Sequence, residues 1–401
     1  MNSNTREELH MNTEVVAPEA VEPKPDNLNP KTDSPERTPS PLPGAGKTVA
    51  LVLGSGGARG YAHMGVIEVL EEQGYEIIAI AGCSMGALIG GAYAAGKLQL
   101  YKDWVTGLGQ FDLFRLLDFS LSSPGAIRGD KIFAVISEML GDINIEDLPI
   151  AYTAVATDLL AHKEVWFQEG SLTRAIRASV AIPSFFTPVM IGGRVLVDGA
   201  LLNPLPIIPT IAAHADLIVA VNLAGEGDFH VELPRVDRKG EPCPPGEAVP
   251  EAKLTDGAVE AEWLERWKRR AASWFGTESE SSGSEEDALA QAEESASPVD
   301  PSETREEAKP VSLQQFGLGK FDIMNLTIET MQSALTQYKI AGYPPDLLVN
   351  VPKHVCKSFD YHKAPELIQL GRQLAEESLQ NYRRREGRGA GNPLWRNNRR
   401  R

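Results

Sequence analysis

The sequence predicts an α/β domain with three layers, in which a mostly parallel central sheet is covered by helices on both faces. Several short runs are continuously apolar and bounded by glycine, which is typical of strands buried on both faces. These runs alternate with segments of helical periodicity, and such alternation favours parallel strands joined by helices. The domain is predicted to cover residues 48–382 of the 401-residue chain.

The elements follow one another in a regular order. The first strand is predicted at residues 48–53 (TVALVL), and a glycine-rich loop follows at 54–60 (GSGGARG). Helical spacing then predicts a helix that ends at Gly74, and a second buried strand at 77–81 leads into a helix at 84–95. Further strands are predicted at 152–157, 164–168, 194–197, 217–222 and 347–351, and further helices at 131–140, 172–180, 206–213, 321–341 and 364–382.

Three segments lack this pattern. Residues 1–47 are polar and proline-rich, so they are predicted to be disordered, because they cannot bury enough apolar surface to offset the entropy of ordering. An acidic insertion rich in Glu, Ser, Pro and Gly interrupts the domain at about 225–310, and a basic tail is predicted at 383–401.

Composition excludes several classes of protein. Three widely spaced cysteines indicate neither a disulfide framework nor a metal-binding motif. A formal charge of -16 argues against general nucleic-acid binding. The arginine triplets at 383–385 and 399–401 are interpreted as a solvated tail, although phosphates of RNA or anionic lipid are an alternative contact.

Two observations bear on membranes. The first 21 residues contain no apolar core of a signal peptide, which predicts a cytoplasmic protein. Residues 77–96 are uncharged over about the length of a membrane span, but their Gly and Ala content favours a strand, a turn and a helix instead.

A G-x-S-x-G motif occupies residues 82–86 (GCSMG). In such a motif the serine lies on a tight turn between a strand and a helix, and the flanking glycines allow the sharp backbone path. The N-terminus of the following helix favours negative charge that develops near the serine. The apolar strand before the motif and the Ala/Gly-rich helix after it predict that Ser84 is a nucleophile.

The glycine loop at 54–60 is the second candidate part of the site. Attack by a serine on a carbonyl carbon needs backbone N–H groups directed at the tetrahedral oxyanion, and Gly56 and Gly57 can expose such groups. The alternative is a phosphate-binding loop, but the glycine spacing is imperfect and no Walker lysine is present. Because Ser84 follows the very next strand, we prefer an oxyanion site.

Asp198 is the third part, in the sequence VDGA at 197–200. It follows an apolar strand, so it is predicted at the carboxyl edge of the sheet, where open α/β sheets carry their sites. There Asp198 could act as the general base for Ser84, whereas the alternative is a simple turn-forming aspartate.

Together these motifs resemble the patatin-like phospholipases, in particular the bacterial branch that is similar to the catalytic domain of neuropathy target esterase. The matching sequences are GSGGARGYAH at 54–63, the motif around Ser84, ASVAIPSFFTP at 178–188 and DGALLNP at 198–204. Sequences at 359–361, 364–366 and 371 also match, so the resemblance covers about residues 48–224 and 315–382.

The resemblance implies a patatin-like fold and a Ser–Asp dyad that works through an acyl-enzyme, without histidine, metal or cofactor. It implies Ser84 as nucleophile, Asp198 as base, and an oxyanion hole from Gly56, Gly57 and Ala58. The supporting motif residues are Gly54, Arg59, Gly60, Gly82, Gly86, Gly199 and Asn203. One departure is Ser55, where many members carry glycine; its backbone N–H is retained, so we expect little effect.

The function expected from these observations is hydrolysis of carboxylic esters in lipids, of the phospholipase or lysophospholipase type. One rival is a Ser-His-Asp esterase that uses His63, His354 or His362, and a second is a transacylase. A rival from another class is a non-catalytic regulatory or scaffold protein, recruited through the insertion and tails.

Neighbouring residues have simpler interpretations. His63 is predicted to pack or cap near the loop, Arg59 to hold the loop through a carboxylate or carbonyl, and Cys83 to fill apolar space. Asn203 is predicted to tie down the Asp198 loop.

A possible partner surface lies in the insertion. An amphipathic helix near 258–276 would place Trp263, Trp267, Trp274 and Phe275 on one face beside basic residues, which suits a peripheral contact with the inner membrane face. The alternative is a cover packed over the mouth of the active site or over the sheet. Protein partners are not predicted.

Overall fold

The computed structural model of the protein describes residues 42–108, 129–183, 185–226, 231–237, 241–243 and 320–389. No helix within these ranges has both the length and the apolar character of a membrane span. The predicted amphipathic helix at 258–276, most of the acidic insertion and the segments 1–41 and 390–401 lie outside the described residues, so the expectations for them stay predictions.

The described residues form one sheet of eight strands. The strands are β1 (Thr48–Leu53), β2 (Glu76–Cys83), β3 (Ala151–Asp158), β4 (Lys163–Phe167), β5 (Val189–Ile191), β6 (Arg194–Asp198), β7 (Leu217–Gly225) and β8 (Leu347–Pro352). Their order is β5-β6-β3-β2-β1-β7-β8, with β4 paired to β3 beside this path. Strands β3, β2, β1, β7 and β8 are parallel, whereas β4, β6 and β5 add antiparallel pairings at one side.

The α-helices of the described ranges connect these strands, except for the last helix, which follows β8. They are α1 (Ala62–Glu72), α2 (Met85–Ala94), α3 (Leu98–Gly107), α4 (Asp130–Leu140), α5 (Leu172–Ser179), α6 (Lys320–Gly342) and α7 (Ala364–Gly389). Short 3-10 turns include Gly57–Tyr61, Gly199–Leu201 and Ile208–Ala213.

Alternate residues of β1 show that the sheet is covered on both faces. Leu51 and Leu53 lie in the larger core cluster, which includes the buried residues of α1, α2, α5 and α7. Val52 faces the other way and packs with Leu205 and Ile207, beside Ile340 of α6. Successive residues of a strand point to opposite faces, so the three-layer α/β prediction is confirmed.

Several boundaries differ from the predictions. Residues 42–47 form a turn in which the N–H of Gly44 donates to the carbonyl of Gln73 at 2.8 Å, although the predicted disordered segment extended to residue 47. Val231 and Leu233, inside the predicted insertion, pack against the core. Helix α7 continues to Gly389, into the predicted basic tail.

Two elements were missed by the sequence prediction, and a third has a different type. Helix α3 and strand β5 were not predicted, and the predicted helix at 206–213 is a 3-10 turn from Ile208, with proline at its start. Pro209 would be the fourth residue of the predicted helix, where its ring and missing N–H disfavour helical structure, whereas it lies in the first turn of the observed element, where proline is tolerated; the proline therefore accounts for the later start.

Candidate active site

Ser84 lies on the tight turn between β2 and α2 and is 3% exposed. Its φ of 55° is in the left-handed region, which is rare for a residue with a side chain. A Cβ atom on Gly82 would collide with the backbone of Gly86, and one on Gly86 would collide with the carbonyl of Leu53. The two glycines of the G-x-S-x-G motif are therefore required by close backbone packing, and the strained serine is held in place by it.

A second serine fixes the backbone of this turn. The N–H of Ser84 donates to Ser179 Oγ at 2.9 Å, and Ser179 Oγ donates to the carbonyl of Val155 at 2.6 Å. Ser179 is fully buried at the end of α5. Its hydroxyl thus links the turn to β3, the neighbour of β2.

Asp198 reaches Ser84 from the end of β6. The hydroxyl of Ser84 donates to Asp198 Oδ2 at 2.5 Å, and both side chains are buried. Asp198 was predicted after an apolar strand, at the carboxyl edge of the sheet, and this strand, β6, runs antiparallel to β3. Asp198 pairs with Ala156, inside the end of β3, so its place near Ser84 arises from a strand that approaches in the opposite direction.

Three donors surround the Asp198 carboxylate. Ala200 N–H donates to Oδ1 at 2.8 Å, and the Cys83 thiol lies 3.7 Å from the same oxygen. Burial raises the pKa of the Asp198 carboxyl to about 6, and the hydrogen bonds from Ser84, Ala200 and Cys83 limit the rise. Asp198 is therefore ionised at neutral pH and more basic than an exposed aspartate.

Cys83 does more than fill apolar space. Burial raises the pKa of its thiol well above the usual value, and the nearby charge of Asp198 adds to the effect. The thiol stays protonated and can donate a weak hydrogen bond to Asp198.

The glycine loop follows β1 at the same edge of the sheet. Gly56 and Gly57 line the cavity beside Ser84, and within the described residues their N–H groups have no hydrogen-bond partner. The N–H of Ala58, by contrast, donates to the carbonyl of Ser358 at 2.8 Å. In this arrangement two of the three predicted oxyanion donors are free, and the Ala58 group is engaged elsewhere.

The other motif residues hold this loop. Gly54 N–H donates to Val221 O at 3.1 Å, and a Cβ on Gly60 would collide with Met85. Arg59 is buried and donates from Nη1 to the carbonyls of Lys353 and Cys356, at 2.9 and 3.2 Å. Arg59 therefore ties the loop to the segment that follows β8.

His63 is turned toward the loop backbone. Its Nε2 lies 2.8 Å from the carbonyl of Gly54, and burial lowers the pKa of the ring to about 4. No histidine of the described ranges lines either cavity at Ser84, and His354 Nε2 lies 3.2 Å from the carbonyl of Val231.

Asn203 and Gly199 secure the segment after Asp198. A Cβ on Gly199 would collide with the carbonyl of Val155. Asn203 Nδ2 donates to Glu164 Oε2 at 2.9 Å, while Lys339 of α6 donates to Glu164 Oε1 at 2.8 Å. The amide thus connects the Asp198 segment to β4 and, through Glu164, to α6.

Two cavities meet at Ser84. The first, of about 60 Å³, is almost entirely apolar; its walls come from the loop, α2, α3, α4, the segment after α5 and the segment before α7. They include Leu88, Trp104, Ile136, Phe186 and Tyr361. We call it the apolar cavity.

The second cavity, of about 50 Å³, is more polar, and we call it the polar cavity. It includes Arg59 and Asp198 together with Glu329, Gln332 and Ser358. The last three were not predicted as site residues, because α6 and the 358 segment lie far from Ser84 in sequence. Ser179 was also missed as a site residue, although it lies in the ASVAIP sequence.

Comparisons with known proteins bear on the family of the chain. A family model described as patatin-like phospholipase matches residues 51–211. An uncharacterized NTE family protein of Mycobacterium bovis is 43% identical in an alignment of 353 residues that covers 83% of this chain and 92% of that protein. Neuropathy target esterase of Drosophila persimilis is 34% identical over 168 residues, which are 40% of this chain and 12% of that protein.

A solved structure is also similar. The crystal structure of VipD from Legionella pneumophila matches with a TM-score of 0.39 and 14% identity, over 84% of this chain and 67% of that one. Membership rests on the mycobacterial relative, which is similar over most of both chains. The resemblance stated from the motifs is thereby confirmed: the chain belongs to the patatin-like phospholipase family, together with the proteins named as the NTE family.

Proposed function

We propose that the protein is a serine lipid acyl hydrolase of the phospholipase or lysophospholipase type, with Ser84 as nucleophile and Asp198 as general base. The observation that carries this proposal is the 2.5 Å hydrogen bond from Ser84 Oγ to Asp198 Oδ2, at the point where the two cavities meet. Family membership independently supports lipid acyl hydrolysis.

In the first half-reaction Ser84 Oγ attacks the ester carbonyl carbon while Asp198 accepts the hydroxyl proton. The carbonyl oxygen becomes an oxyanion, for which the free N–H groups of Gly56 and Gly57 are the donors. The tetrahedral intermediate then collapses, the bond to the alcohol oxygen breaks, and Asp198 returns the proton to the departing alcohol.

In the second half-reaction water takes the place of the alcohol. Asp198 accepts a proton from the water as its oxygen bonds to the acyl carbon. The bond to Ser84 Oγ then breaks, and the proton returns to the serine. One carboxyl with a pKa of about 6 can perform both transfers, because it lies close to neutral pH.

The cavities suggest how a lipid ester is oriented. An apolar cavity suits an acyl chain, because every apolar atom removed from water favours binding. The polar cavity then receives the alcohol portion. The ester carbonyl would lie between them, beside Ser84.

The rivals have less support. A Ser-His-Asp mechanism needs a histidine at Ser84 Oγ, but the carboxylate occupies that place and His63 faces Gly54. A transacylase uses the same acyl-enzyme, so supplying a lysolipid acceptor and seeking a transfer product separates it from a hydrolase. A scaffold role predicts partner capture that is the same for wild type and a Ser84 variant, without measurable hydrolysis.

The deciding experiment uses Ser84→Ala. We expect esterase activity to fall by at least about three orders of magnitude and labelling by a fluorophosphonate probe to vanish, because the nucleophile is gone. Ser137→Ala, at an exposed serine of α4, is the matched control and should label and turn over like wild type. Activity retained in Ser84→Ala would overturn the assignment.

A further inference from the structure

One part of the wall of the polar cavity comes from helix α6, which contains none of the motif residues. Helix α6 places Ile328, Glu329 and Gln332 along this wall, in the cavity that the glycine loop also lines. Glu329 Oε1 accepts a hydrogen bond from Ser358 Oγ at 2.9 Å, so the carboxylate has a defined position. The backbone of Ser358 is in turn fixed by the N–H of Ala58.

The charges of this cavity are unequal. Among the described residues, the charged side chains that line it are Arg59, Asp198 and Glu329, which are one guanidinium and two carboxyl groups. The guanidinium of Arg59 already donates to two backbone carbonyls. Asp198 is engaged with Ser84, whereas Glu329 binds only Ser358 within the described residues.

A carboxylate in a partly enclosed cavity acts strongly on other charges, because it is less screened there than in bulk water. A cationic alcohol portion would be attracted to Glu329, and an anionic one would be repelled. The acyl chain, in the apolar cavity on the other side of Ser84, would be little affected.

We propose that Glu329 is a specificity-determining residue, which makes the site prefer esters whose alcohol portion carries a cationic group over esters whose alcohol portion carries only anionic charge. This inference rests on the proposed hydrolase function and deepens it. Glu329 takes no part in bond making; its carboxylate sets the electrostatic preference for the alcohol portion.

The test uses three soluble butyrate esters with the same acyl group. Their alcohols are choline (cationic), 3,3-dimethylbutanol (a neutral isostere of choline) and 2-hydroxyethanesulfonate (anionic). For wild type we expect kcat/KM to fall in that order. In Glu329→Gln, which retains an oxygen for Ser358, the ratio of the cationic to the anionic ester should fall about tenfold, with the neutral ester nearly unchanged.

Two further variants make the result specific. Gln332→Glu adds a carboxylate one turn away in the same cavity and should raise the ratio. Glu226→Gln removes an exposed charge that contacts Gln337 of α6 but does not line the cavity, and it should leave the ratio as in wild type.

The outcomes distinguish the role of Glu329 from the proposed hydrolase function. If wild type hydrolyses the neutral ester but Glu329→Gln leaves the ratio unchanged, the role of Glu329 is overturned and the hydrolase proposal stands. If wild type hydrolyses none of the esters and resists fluorophosphonate labelling, both proposals fall. If Glu226→Gln changes the ratio as much as Glu329→Gln, surface charge rather than the cavity sets the preference, and the proposal is also overturned.

Discussion

The two cavities at Ser84 are built from different parts of the chain. Except for Tyr361, the walls of the apolar cavity come from residues 57–186, within the segment that matches the family model. The polar cavity shares Gly57, Ser84 and Ile182 with the apolar cavity. It adds Asp198 from the matching segment, but another part of its wall comes from residues 328–332 and 358–359, beyond that match. Under the proposed function, acyl recognition is therefore encoded together with the chemistry, whereas recognition of the alcohol depends on later and separate elements.

The largest effect is expected on the polar side, from Asp198→Asn. An amide cannot accept the serine proton, so kcat/KM for a neutral ester should fall by at least about three orders of magnitude. Stopped assays at pH 8 would measure this, with circular dichroism as the control for folding. If Asp198→Asn kept most of the activity, the base would lie elsewhere, and the polar cavity would lose its role in proton transfer.

An intermediate effect is expected on the apolar side, from Ile136→Phe. The larger side chain would occupy part of the apolar cavity, so kcat/KM should fall about tenfold for a long-chain p-nitrophenyl ester and little for the acetate. Ile150→Phe is the control, since this partly buried residue lines neither cavity. Equal losses for long and short chains would contradict an acyl site in the apolar cavity.

The smallest effect concerns pH and again involves the polar side. Because Asp198 must be ionised to act as base, kcat/KM should be about half-maximal near pH 6 and fall about tenfold per unit below pH 5. A pH profile with a soluble ester measures this directly. A rate that is unchanged between pH 7 and pH 5 would show that no group with this pKa controls the reaction.

Stability should change in the opposite direction to activity. The pKa of Asp198 is raised in the folded protein from 3.8 to about 6, so the folded state holds this proton more tightly. The stabilising effect of protonation is present below about pH 4 and is lost as the pH rises through about 6. Urea unfolding at pH 8 should therefore find Asp198→Asn more stable than wild type by roughly 3 kcal/mol, and the gain should disappear at pH 4.

The sequence was most informative where structure depends on neighbours along the chain. The apolar runs identified most strands of the sheet, and the spacing of Gly82, Ser84 and Gly86 predicted the tight turn. Two missed elements also carried signals. The Gly192-Gly193 pair, with φ of 57° and 77°, is a hairpin signal for β5, and the spacing of Tyr101, Trp104 and Val105 fits helix α3.

Contacts between distant segments were less predictable. The sequence did not predict that Asp198 ends an antiparallel strand, because an apolar run does not reveal strand direction. The engagement of Ala58 by Ser358, and the placement of Glu329 in the polar cavity, join segments separated by hundreds of residues. No local pattern encodes such contacts, so they required the three-dimensional arrangement.

The position of Asp198 on β6 has a further consequence. Strand β3 lies between β2 and β6, so the hydrogen bond between Ser84 and Asp198 spans three strands. A slip of β6 by one residue against β3 would turn the Asp198 side chain to the opposite face of the sheet. Under the proposed function, ester hydrolysis would be absent while β6 is paired out of register. The time at which hydrolysis returns during refolding would therefore measure when β6 reaches its native pairing with β3.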